Sequence, residues 1–171
     1  LSNSKMALLT SLASRRLNNV RTGGGNDSHA AVTRFLGLPS DIFGTRLPGT
    51  RVTQYGGMMR AQFATSSSSQ LVAHYEPGHQ DGGQRYDQLL GGDGNLIADV
   101  HNLMLDFGYL RYNSFAAGPF EQASITASYN AQREERINQG GSGNPAASIG
   151  NQYERANAKG ISGYLTRNTR G

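Results

Sequence analysis

The sequence predicts a mainly α-helical fold with a small antiparallel β element, an α+β chain of four to five helices with extended arms at both termini. Three observations lead there. In residues 95–107, Leu96, Ile97, Val100, Leu103, Met104 and Phe107 recur at the i, i+3/i+4, i+7 spacing of one helix face. Residues 119–138 form an alanine-lined stretch that opens on Pro119, a residue suited to the first helical position. Between Arg51 and Glu76, apolar and polar residues alternate around Gly56-Gly57, as in a short meander.

In chain order, Ser4 can cap a basic amphipathic helix over Lys5–Val20, with Met6, Leu9, Ala13, Leu17 and Val20 as its stripe. Residues 1–25 thus read as a basic amphipathic arm. Gly23-Gly24-Gly25 breaks it, and a short helix to Leu36 follows. Residues 26–140 read as the core. Within it, the meander (about 50–76) has strands Arg51–Tyr55 and Met58–Thr65 joined by a Gly56-Gly57 turn, a linker at Ser66–Ser69, and a strand over Gln70–Glu76. The helix at 95–107, capped by Asn95 and ended by Gly108, serves as its hub, and the helix at 119–138 packs through an Ala face. Residues 141–171 read as a linker, a short helix over about Ala146–Lys159, and a basic tail.

Composition narrows the function. Leu, Ile, Val and Phe together make about a fifth of the 171 residues, while Gly alone contributes 23. Such a chain builds a thin core and needs supplementary stability, commonly from oligomerisation, metal or disulfides. With no Cys, disulfides and thiol chemistry are excluded. Net charge is +4, arranged basic–acidic–basic along the chain, which suits contact with a copy of itself or with an acidic partner. No run of about 18 apolar residues is present, so no helical membrane span is expected, and the N-terminal residues lack the apolar centre of a secretory signal.

The candidate chemistry is sparse. His74, His79 and Asp81 offer two imidazoles and a carboxylate, a set that suits zinc or non-haem iron if strand and turn bring them together. Asp81, Asp87, Asp93 and Asp99 recur every six residues, but the calcium-loop template fails at Ile97 and Ala98. Arg15, Arg16, Arg21, Arg155, Lys159, Arg167 and Arg170 form basic ends able to contact phosphates or another acidic partner. No catalytic residue and no cofactor other than that metal set is indicated, and no phosphate-binding glycine motif or nucleophile elbow occurs.

The expected function is therefore a non-enzymatic structural subunit of a large assembly, such as a virion or phage particle, whose arms are ordered by neighbouring copies or other subunits. Two alternatives accompany it: a metal-dependent hydrolase or secreted effector enzyme using His74, His79 and Asp81, and a non-specific nucleic-acid packing protein using the terminal arginines.

Overall fold

The computed structural model describes residues 3–20, 49–83, 100–139 and 146–167, and every element in them is a β-strand. The strands are β1 (Met6–Leu17), β2 (Val52–Ser66), β3 (Ser69–Gly82), β4 (Val100–Ser114), β5 (Gln122–Gln139) and β6 (Ile149–Thr166). They lie in one sheet in the order β1-β2-β3-β4-β5-β6, each antiparallel to the next. At 12 to 18 residues, they are about two to three times the ordinary strand of ~5–6.

This overturns the mainly helical expectation. The predicted helix over Lys5–Val20 is β1, the hub helix from Val100 onward is β4, and the helix at 119–138 is β5. The helix at 146–159 is β6, which runs on to Thr166 through residues expected in a tail. The helix to Leu36 and residues 95–99 of the hub lie outside the described residues. The predicted strand Gln70–Glu76 sits inside β3, and Ser66–Ser69 is a turn.

The physical reasons can be read residue by residue. In β5, Ala123, Ile125, Ala127, Tyr129 and Ala131 alternate with Ser124, Thr126, Ser128, Asn130 and Gln132. That period of two outweighs the helix propensity of Ala, Gln, Arg and Glu, which is a weak prior. In β4 both sides carry apolar residues, Met104 and Leu110 on one and Leu103, Leu105 and Phe107 on the other, so helical spacings arise by coincidence. Gly56-Gly57 makes no turn but lies inside β2. A Cβ on Gly57 would stand 2.8 Å from the Ser11 carbonyl oxygen and 2.9 Å from Leu12 Cδ2, so this glycine lets β1 approach closely.

The connections separate by length. At one end of the sheet, residues 67–68 join β2 to β3 and residues 115–121 join β4 to β5. At the other, residues 18–51, 83–99 and 140–148 make the remaining three connections. The short end is tied together. The Ser69 hydroxyl meets those of Thr65 and Ser66 at 2.7 and 2.6 Å, and the Phe115 amide donates to Ser68 O at 2.7 Å. Ala117 and Phe120 exchange backbone hydrogen bonds around Gly118, whose φ of 64° suits a residue without Cβ. The Glu121 amide reaches Thr166 O at 2.9 Å.

Among the described residues, the only buried apolar side chains are Val72 and Ala131. Soluble domains bury such a sheet against a second layer, and the described residues supply none. The outer edges of β1 and β6 are unpaired within this sheet.

Candidate functional site: the two faces of the sheet

Residues opposite one another in an antiparallel pair share a face, so the register sorts every side chain. One face holds the rows Phe63–Leu71–Tyr112–Ile125, Ala61–Ala73–Leu110–Ala127 and Met59–Tyr75–Gly108–Tyr129. Met6, Leu8 and Leu12 of β1 and Ile161 and Leu165 of β6 extend it. The opposite face carries Arg60–His74–Tyr109–Ser128 and Gln54–Gln80–Leu103–Glu134. Of the large apolar side chains left exposed on the strands, only Leu9, Leu17, Leu105 and Tyr164 fall on this polar face.

The apolar face has aromatic residues at both margins. Towards the short turns stand Phe63 and Tyr112; towards the long connections, Tyr55 and Tyr153; Tyr75 and Tyr129 lie between them, in the row of Met59. Their hydroxyls and rings engage polar partners. Tyr75 donates to Asp106 Oδ1 at 2.6 Å, and Tyr129 to Asn157 Oδ1 at 3.2 Å. Tyr153 accepts from Asn151 Nδ2 at 3.0 Å, and Tyr55 packs on His79 with centroids 4.6 Å apart. The hydrogen bond to Asp106 raises the Tyr75 pKa. At this margin, directly opposite Tyr153, lies Glu135, which accepts from Asn102 Nδ2 at 2.9 Å and Asn151 Nδ2 at 3.1 Å. Those amide donors, Asn102 first, hold its carboxyl below the usual range, and its bond with Tyr153 raises that phenol.

The polar face is built from side-chain pairs across strands. Gln54 bonds Gln80, Gln62 bonds Gln70, and Arg111 Nε donates to Thr126 Oγ1 at 2.9 Å. At its centre the His74 imidazole stacks on its cross-strand partner Tyr109, with centroids 4.8 Å and planes 18° apart. The Arg111 guanidinium lies 5.1 Å from the Tyr109 centroid, and Phe107 stands edge-on to His74 at 6.1 Å. His74 Nε2 is 3.4 Å from Glu76 Oε2, while its Nδ1 is buried without a partner among the described residues.

The predicted metal set does not converge. Positions 74 and 79 have opposite parity on β3, so His74 lies on the polar face while His79 and Asp81 lie on the apolar one. Among the described residues, no group of three His, Asp or Glu side chains is placed to hold a metal ion. The predicted basic set is divided as well. Arg15 is on the polar face and Arg16 on the apolar face of β1, at its long-connection end. Arg155 and Lys159 share the apolar face of β6, Arg167 lies just past that strand, and Arg21 and Arg170 are outside the described residues. The register adds Arg133, which lies directly opposite Arg155. Period-two reading of β5 and β6 could have put both arginines on one face, but only the register shows that they are partners.

Compared with protein-family models, curated proteins and solved structures, the chain matches none.

Proposed function

We propose that this sheet forms part of the wall of a transmembrane β-barrel, with its apolar face against lipid and its polar face towards an aqueous lumen. The supporting observation is a single-layer antiparallel meander with an aromatic-bordered apolar band on one face and amides, hydroxyls and charges on the other. Barrels of this kind alternate apolar-out and polar-in, carry aromatic girdles, and join their strands by short turns at one end and long loops at the other.

The dimensions agree. From Phe63 to Tyr55, β2 gives nine residues to the band, within the ~9–11 of a spanning strand. That is about 27 Å along the strand and, at a tilt of ~40°, about 21 Å across the membrane, near the ~25 Å of known barrels. No helix among the described residues is long and apolar enough to cross a membrane; a spanning strand needs only alternate residues to be apolar, so helical hydropathy is no guide to it. Lipid offers no hydrogen bonds to a free strand edge, and known single-chain bacterial barrels have at least ~8 strands. In this reading, further strands therefore pair with the outer edges of β1 and β6.

Those edges also favour a second reading, the assembly subunit, in which edge pairing joins protein copies and another protein covers the apolar face. Vesicle flotation separates the two. Refolded with phosphatidylcholine vesicles, the barrel wall floats with lipid and resists extraction by alkaline carbonate. An assembly subunit instead forms discrete oligomers in lipid-free buffer and stays at the bottom of the gradient, which would overturn the membrane reading.

A further inference from the structure

We infer that the apolar face of β5 and β6 carries a binding site for an anionic, phosphate-bearing lipid, with Arg133 and Arg155 on the phosphate and Lys159 supporting them. The inference rests on the membrane reading above and adds a ligand to that face.

Arg133 and Arg155 are direct cross-strand partners. Like charges in that position repel and destabilise a sheet, and among the described residues no acid neutralises them. Neither arginine nor Lys159 has an ion pair or hydrogen bond among the described residues. The nearest carboxylates on this face are occupied, Glu135 by Asn102 and Asn151, and Asp106 by Tyr75. Glu134 and Glu154 point to the other face. Lys159 follows Arg155 by two same-face positions, about 13 Å along the strand. Between them Ala131 faces Asn157, a small side chain opposite a modest one, so the long cations can lean together.

The apolar half of the ligand has a place as well. Over Gly108 and Ala127 runs an open groove of about 580 Å³, walled by Leu110, Tyr129 and Ile161, with Lys159 at its margin. The missing Gly108 side chain creates the depression; a Cβ there would stand 3.2 Å from the His74 carbonyl oxygen and 3.7 Å from Tyr75 Cδ2. An acyl chain can lie in the groove while its phosphate sits past Lys159 at the level of the arginines, which share the register row of Tyr55. Arginine suits this task because its planar donor fork matches phosphate oxygens.

The test uses the full chain in mild detergent, titrated by native mass spectrometry with phosphatidic acid, with phosphatidylcholine and with inorganic phosphate. Phosphatidic acid is expected to bind about tenfold more tightly than phosphatidylcholine, given that each basic side chain near an anionic lipid contributes measurably. The R133Q/R155Q double variant should lose that preference, and the polar-face variant R60Q should keep it. Inorganic phosphate should bind more weakly than phosphatidic acid, because the groove contributes nothing to it; equal affinity would mean a free-anion site and overturn the lipid assignment. Equal binding of the two lipids, or a preference that survives R133Q/R155Q, would overturn the site even if the chain floats with vesicles. Failure to float would remove the membrane reading itself.

Discussion

The Tyr75 hydroxyl donates to Asp106 Oδ1 at 2.6 Å, holding a carboxylate from the next strand at the edge of an apolar face. Removing the donor leaves Asp106 in an apolar setting with one bond fewer. Tyr75→Phe should therefore lower stability by about 1 kcal/mol, measured by urea unfolding in vesicles. The same bond raises the Tyr75 pKa above the usual tyrosine value. Its contribution is present in full below the unfolded-state pKa near ~10 and is lost as pH rises through the raised one. Ultraviolet titration should show two tyrosines, Tyr75 and Tyr153, ionising late, and Asp106→Asn should restore the ordinary titration of Tyr75 alone.

Glu135 gives the opposite sign. Asn102 and Asn151 favour its ionised form and lower its pKa. Its contribution is present above the unfolded glutamate pKa of ~4.3 and disappears as pH falls through the lowered value. Acid should thus loosen β4, β5 and β6 at the long-connection end first. Amide hydrogen exchange around Asn102 and Asn151 measures this, and Glu135→Gln should remove the pH dependence.

Glycine positions test the register. Gly118 holds a φ of 64° in the β4–β5 turn, and Gly118→Ala should cost about 1–2 kcal/mol because a Cβ disfavours left-handed backbone. Gly57→Val forces a side chain against the Ser11 carbonyl oxygen and Leu12. It should free β1 selectively, seen as faster exchange of the β1 amides with β3–β6 unchanged.

Adjacent methionines on β2 separate the two faces. Met59 lies at the middle of the apolar band and Met58 on the polar face. Met59→Arg should cost about 2–4 kcal/mol in a bilayer, whereas Met58→Arg should fall within about 0.5 kcal/mol of the parent. Unfolding in phosphatidylcholine vesicles gives both values.

Parts of this architecture were legible in the sequence. The strand at Gln70–Glu76 and the alternation of Met59–Phe63 were readable, while Ser66–Ser69, expected as a linker, is the turn between β2 and β3. The rest was obscured for physical reasons. A wall strand needs only alternate apolar residues over about ten positions, a weak pattern for any one segment. Ala123–Ala131 satisfies it with residues that also favour helix, and β4 blurs it with Leu103, Leu105 and Phe107 on the polar face. The His74, His79 and Asp81 grouping looked local in sequence, but an odd spacing on a strand divides it between faces. The pairing of Arg133 with Arg155 becomes visible only with the β5–β6 register.

Because the chain has no cysteine, each face can be probed with one introduced thiol. Ala127→Cys and Ser128→Cys are neighbours on β5 whose side chains point to opposite faces. With a fluorophore on each and the protein in vesicles, the barrel-wall account predicts that acyl-chain bromolipids quench the label at 127 and spare the one at 128. Aqueous iodide should do the reverse. Equal quenching of both positions by iodide, with no effect of bromolipid on either, would contradict it.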